Sequence, residues 1–478
     1  GARWTTGGTT WTSDPAAASP PTTWANGSVA HFAAGATTGN YTVTLDSNVS
    51  AAGLRYLSGS AGSELLLNGT ATLTLARPTP LAPAPDVAVA GGTSLRVDAA
   101  LAGTEGLRKT GAGTLVLNGT NTYTGTTSIE AGTLQVAANA NLGDASAGLA
   151  MAGGGTLRLG ADNFGTARNV GLQAGGGVID AAGTRGAQFI GTISGPGSLA
   201  LVNSAPPIPT EDLRVILTGF NTYEGGTRIG NPGGVTDGRM NAAVLISPQG
   251  LGTGPVDIYY NSEIKFAAGA SSQGLTITTH ESSNRLGTNS GVFYEGGATA
   301  ANAHIVNQGQ GSYVIFEANT SAGSARIDSN GGRVHFLDGT SGGTAVINNN
   351  ATQTGTPVGG IVDLWNADLS QATVNNNAGI LFISNSDAGV AIGSLGGAGA
   401  VALGGRQLTV GALNQSSTIS GVISDSGNSY IDGNGTPYIT PASGSTRSLV
   451  KEGSGTVTLR GKNDYGDTTT VNGGILRL

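Results

Sequence analysis

Nucleophilic chemistry needs a serine or a cysteine beside a base and a carboxylate that orients the base. The chain has 478 residues and no cysteine, so thiolate chemistry and disulfide staples are both excluded. Its nearest approach to a serine nucleophile turn is Ser424-Asp425-Ser426-Gly427. That segment corresponds to Ser194-Gly195-Pro196-Gly197 in another copy of an internal repeat, which makes it a repeat turn. Lyases and hydrolases of polysaccharides need clustered carboxylates, for a cation or for acid and base work, together with an Arg or Lys. Asp328, Asp338, Asp363, Asp368 and Asp387 lie in one stretch with Arg326 and Arg333. No carboxylate recurs there at a fixed position, and Asp beside Asn and Gly is a turn former. A glycan-active enzyme therefore stands only as an alternative. The four histidines, His31, His280, His304 and His335, lack metal-ligand spacing. No calcium-binding Gly-Gly-x-Gly-x-Asp nonapeptide and no phosphate-cradling glycine loop occurs. The expectation is no catalytic, metal or cofactor site, and hence no enzyme.

A different pattern points to binding. Val292-Phe293-Tyr294, Val314-Ile315-Phe316, Val334-His335-Phe336, Val362-Asp363-Leu364 and Leu381-Phe382-Ile383 recur at spacings of 22, 20, 28 and 19 residues. Side chains alternate across a strand, so if Val314 and Phe316 point inward, Ile315 points outward with Phe293, His335, Asp363 and Phe382. The next outward column is Glu295, Glu317, Leu337, Trp365 and Ser384. Phe293, Ile315, His335, Leu337, Asp363, Trp365 and Phe382 are therefore the candidate partner-binding residues, because a polar surface has little reason to expose so many large apolar groups. The alternative is that an insertion such as Gln353 to Gly360 folds back over them.

The elements that hold these columns are short strands. Glycine supplies 82 residues, charged residues only 11% and aromatics 5%, against about 25% charged in ordinary domains. A core must then be layered from Val, Ile, Leu and Ala. Alternating segments such as Tyr41-Thr42-Val43-Thr44-Leu45 and Gly113-Thr114-Leu115-Val116-Leu117 are bounded by turn residues, and no convincing helix interrupts them. A net charge of −7 with only four lysines (Lys109, Lys265, Lys451, Lys462) excludes a basic stripe for nucleic acid. No apolar run is long enough for a membrane-spanning helix.

Repeats set the architecture. Leu107 to Val136 aligns without a gap on Leu449 to Leu478, pairing Lys109 with Lys451, Gly111 with Gly453, Asn121 with Asn463 and Tyr123 with Tyr465. An interrupted copy runs over 191–229. The central stretch, 270–400, repeats about every 20 residues, the length of one rung of a parallel β-helix, which cannot bury its apolar face without stacked neighbours. Asp328-Ser329-Asn330, Asn348-Asn349-Asn350 and Asn375-Asn376-Asn377 fall at one corner of successive rungs. Their amides are expected to bond from rung to rung in a left-handed turn. Arg77 to Asp86, Ala205 to Asp212, Asn231 to Asn241, Gln353 to Gly360 and Gly427 to Arg447 break the rhythm and are expected to project as loops. Trp4, Trp11, Trp24 and Phe32 make residues 1–45 a hydrophobic cap over an otherwise raw end.

Leu449-Val450-Lys451-Glu452-Gly453-Ser454-Gly455-Thr456-Val457-Thr458-Leu459, followed by Asn463-Asp464-Tyr465 and Gly473-Gly474-Ile475-Leu476, closely resembles the passenger-associated repeat of bacterial autotransporters. The copy at Leu107 and the Trp-rich start are similar to passengers too. The resemblance implies a single all-β, right-handed parallel β-helix over residues 1–478, exported through the periplasm and outer membrane by a C-terminal β-barrel, with the sequence stopping before that barrel. It also implies location at the cell surface or outside the cell. Passengers of this shape serve many activities, so function is an expectation. The reading is a non-enzymatic virulence factor that binds a host protein from the extracellular matrix, serum or complement. Self-association in aggregates or biofilm is the alternative within the binding class.

Overall fold

In the computed structural model the described residues are 2–8, 11, 20–33, 39–77, 79–80, 82, 84–182, 185–204, 214–232, 243–246, 250–260, 262–267, 269–280, 290–352, 359–431, 437–441 and 447–478. They form two compact units, Gly1–Pro206 with Leu213–Gly226, and Pro207–Asp212 with Thr227–Leu478. Each is built from short parallel strands, and among the described residues the one helical turn is the 3-10 segment Asn139–Leu142.

In the first unit, Tyr41–Leu45, Glu64–Asn68, Ser94–Val97, Thr114–Leu117, Thr133–Val136 and Gly155–Leu159 pair in parallel, each with the strand about one rung later. A second sheet stacks Val49–Ser58, Asp86–Val89, Leu107–Thr110, Thr127–Ile129 and Leu149–Met151 in the same way. This is a parallel β-helix: the chain turns through one strand of each sheet and returns one rung on. Alternation decides what it buries. Leu115, Leu117, Leu134, Val136, Leu157 and Leu159 are fully buried, while Thr114, Thr133 and Thr156 between them face out. Each such Leu or Val contributes about 1.5–3 kcal/mol. The cap forms as expected: the rings of Trp4, Trp11 and Trp24 lie 4.7–5.0 Å apart, with Phe32 5.8 Å from Trp4.

In the second unit one sheet runs through Thr276–Thr279, His304–Gln308, Arg326–Asn330, Val346–Asn350, Leu369–Asn376 and Val390–Gly396. The other runs through Glu263–Phe266, Ser290–Tyr294, Ser312–Phe316, Arg333–Phe336, Gly360–Leu364 and Gly379–Phe382. Inside, Phe266, Tyr294, Phe316 and Phe336 stack nearly parallel at 5.0, 4.7 and 4.7 Å. Register forces this ladder, since identical positions on successive strands lie one strand spacing apart. The Tyr294 hydroxyl finds Ser272 Oγ at 2.7 Å, and burial pushes its pKa well up.

The asparagine triplets bond from rung to rung but are not turns. Asn375 donates to Asn348 Oδ1 (2.8 Å), Asn348 to Asp328 Oδ1 (2.6 Å), Asn377 to Asn350 Oδ1 (2.9 Å) and Asn350 to Asn330 Oδ1 (3.0 Å). Between these outer ladders, Asn349 is fully buried and donates to Asn376 Oδ1 at 2.7 Å. All but Asn377 sit in extended strands, which corrects the left-handed expectation. Left-handed backbone is taken instead by Asn319 and Asn366, outside the ladders.

Of the expected loops, Ala205 to Asp212 and most of Asn231 to Asn241 lie outside the described residues, as does all of Gln353 to Gly360 but its last two residues. Ala351 and Gly359 close that last insertion with an antiparallel bridge. Gly427 to Arg447 overlaps an antiparallel pair, Ser426–Ile431 with Pro437–Pro441.

Candidate functional site

The strands from Ser290–Tyr294 to Gly379–Phe382 carry their even-spaced side chains outward in register. Phe293 pairs with Ile315, Ile315 with His335, His335 with Asp363 and Asp363 with Phe382, so five of the candidates form one continuous column. Leu337 and Trp365 follow Phe336 and Leu364 in the next column, after Glu295 and Glu317, as the bonds Glu317 N to Tyr294 O, Leu337 N to Phe316 O and Trp365 N to Phe336 O show.

Their exposure is uneven. Trp365 is 41% exposed, whereas Phe293, Ile315, His335 and Leu337 are half-buried. Two expectations of exposure are corrected. Phe382 is only 1% exposed, because it packs with Ile361 and Ala402 in a separate apolar cluster on the outer side of the sheet, with Ile380 against it. Asp363 is 7% exposed; His335 Nδ1 lies 3.5 Å from one of its oxygens, and Asn385 donates to its carboxylate at 3.1 Å. Strand alternation gives direction, not cover.

Three residues that sequence reasoning left out of the site lie on this face. Lys265 is in register with Phe293 and holds its ammonium 5.2 Å from the ring centroid, between Glu263 (3.4 Å) and Glu295 (3.5 Å). Tyr313, two residues before Ile315, receives Arg333 over its ring at 5.8 Å and stacks on His335 at 6.0 Å. The same alternation that selected Ile315 selects Tyr313. Burial holds Arg333 below its ordinary pKa, against the opposing pull of Tyr313 and Asp363. Burial, and then Glu295, push the Glu317 carboxyl up, while Lys265 opposes them.

The acidic residues considered for catalysis are divided among several parts of the rung. Asp328 lies in the other sheet and accepts His304 Nε2 (2.7 Å), Arg326 Nε (2.8 Å) and Asn348 Nδ2 (2.6 Å). Burial would raise its pKa, but these donors together lower it. Asp338 and Asp387 share the amide of Asn366 at 3.0 and 3.1 Å. Asp368 caps Ser370 N at 2.9 Å. His280 binds Asp257 at 2.8 Å, and His31 is exposed. Ser424 ends the strand Ile423–Ser424, and Asp425 after it accepts Gly466 N of a later rung at 2.8 Å. Among the described residues, no group of three or more His, Cys, Asp or Glu could hold a metal ion.

The repeat residues have an architectural role that their alignment alone did not reveal. Lys109 is fully buried and donates to three carbonyls, Thr110 O (2.9 Å), Gly111 O (2.7 Å) and Ala131 O (3.0 Å). Lys451 repeats the pattern on Glu452 O, Gly453 O (2.8 Å) and Gly473 O (3.0 Å). Gly111 and Gly453 adopt φ +73° and +71°, where a Cβ would also strike the preceding rung. Asn121, Asn221 and Asn463 each accept a backbone N–H, from Leu101, Ile193 and Ile423. Tyr123 and Tyr465 each bond the threonine four residues on, at 2.7 Å.

Residues 107–136, 214–234 and 449–478 match the family described as Passenger-associated-transport-repeat. The chain is also similar to a protein of Brucella suis biovar 1 (strain 1330) described as "Adhesin BmaC autotransporter", with 28% identity over 531 residues. That alignment covers 99% of this chain and 14% of the longer protein, so the chain spans about a seventh of its relative. No solved structure matches the chain.

Proposed function

We propose that this chain, with its passenger-associated repeats and its likeness to an autotransporter adhesin, is a stretch of an autotransporter passenger carried through the outer membrane to the cell surface or beyond it, and that it acts as a non-enzymatic adhesin that binds a host protein. The observation that carries this reading is the half-exposed Trp365, which stands just past the strand Gly360–Leu364 in one column with Leu337, its N–H bonded to Phe336 O. Large aromatic side chains dominate interface energetics. The host protein would come from extracellular matrix, serum or complement. The mechanism is presentation: stacked rungs fix the face, and binding needs no chemical step. The likeness to a relative described as an adhesin supports the same reading.

The test is adhesion itself. The purified chain should bind an immobilised host matrix or serum fraction saturably, and Trp365→Ala should weaken that binding without lowering the melting temperature. Binding unchanged in Trp365→Ala would remove this face from the account.

A further inference from the structure

On the outer face one aromatic ring holds a cation of the chain itself, and a second, more exposed ring stands next to a residue that binds two carboxylates. At Phe293, the chain's own Lys265 lies over the ring, 5.2 Å from its centroid and between the carboxylates of Glu263 and Glu295. At Trp365, an exposed ring stands in the column that Glu317 also occupies, beside Asn366, whose amide holds Asp338 and Asp387 at 3.0 and 3.1 Å. Among the described residues, no lysine or arginine forms an ion pair with Asp338 or Asp387, whereas Glu317 lies within the field of Lys265. Asp338 and Asp387 are exposed. Ser384, which follows Trp365 in the column, is buried, and its hydroxyl has no hydrogen-bond partner.

We infer that the Trp365 face receives a basic segment of a partner protein, with a lysine or arginine side chain over the Trp365 ring and beside the carboxylates of Asp338 and Asp387. A cation over an indole face, flanked by exposed carboxylates, is complementary in both shape and charge. The chain's net charge of −7 favours the same encounter from a distance. This inference rests on the adhesin reading and deepens it by giving the chemistry of the partner.

The experiment titrates the full chain with a labelled oligo-arginine peptide, with an oligo-glutamate peptide of equal length as control. Oligo-arginine is expected to bind and to weaken as salt rises, and oligo-glutamate not to bind. The double variant Asp338→Asn, Asp387→Asn and the single variant Trp365→Ala are each expected to weaken oligo-arginine binding about tenfold. Trp365→Phe, which keeps a ring, should retain most of it, and it decides the matter if Trp365→Ala fails to fold. Glu224→Gln, an exposed acid elsewhere in the chain, should change nothing. Undiminished binding in the double variant, or an equal loss in Glu224→Gln, would overturn the inference. Adhesion that needs Trp365 but is not competed by oligo-arginine would reject a basic partner and leave the adhesin reading standing. Adhesion independent of Trp365 would reject the adhesin reading of this face whatever the peptide does.

Discussion

Lys109 carries a charge into a core made of aliphatic layers, and three backbone carbonyls receive it without a carboxylate partner. Burial lowers its pKa from 10.5 to about 8. Between those values the unfolded chain holds a proton that the folded chain has released, so the unfavourable cost of the buried ammonium is fully present below pH 8 and fades as pH rises towards 10.5. Lys109→Met has no such group. Wild type should therefore gain stability relative to this variant as pH rises from about 7.5 to about 10, which denaturant unfolding at several pH values can read. Parallel curves would mean that the ammonium is not desolvated. At the surface, the corresponding residue is Trp365, where loss of the ring should cost at least ~1 kcal/mol of binding and almost nothing in stability.

The strands and their columns were legible in the sequence because two periods coincide, alternation within a strand and about 20 residues between strands. That is why Phe293, Ile315, His335, Asp363 and Phe382 could be placed in one column before their pairing was seen. What covers an outward residue is a property of distant chain, so the burial of Phe382 by Ile361 and Ala402 was not legible. The asparagine triplets misled about conformation, because Asn suits both a left-handed turn and a ladder of extended strands. Lys109 was visible as a repeated position, but a lysine in a sequence normally signals surface. Two outcomes belong to this scale. Phe316→Asp inserts an unpaired carboxylate between Tyr294 and Phe336 and should cost several kcal/mol, seen as a lowered melting temperature and early proteolysis of the central rungs. Asn349→Ala removes the donor that reaches Asn376 Oδ1 inside the wall and should cost about 1–3 kcal/mol; an unchanged melting temperature would mean the inner ladder adds no net stability.

Taken as a molecule, the chain invests its polar chemistry in holding rungs together. The aspartates of the central region are engaged by His304, Arg326, Asn348, Asn366 and Asn385, and the repeat lysines close turns. The adhesin account therefore expects no turnover of casein or acidic polysaccharides, with or without calcium. Release of sugar or peptide that is lost on Asp338→Asn or Asp363→Asn would establish an enzyme instead. The central claim is that a preformed face centred on Trp365 binds a host protein, and its most direct test pairs two readings of one variant. Affinity for immobilised host matrix or serum protein and the melting temperature are measured for wild type and Trp365→Ala. The account predicts weaker binding at an unchanged melting temperature; unchanged binding at a lowered melting temperature would contradict it, because Trp365 would then serve the fold alone.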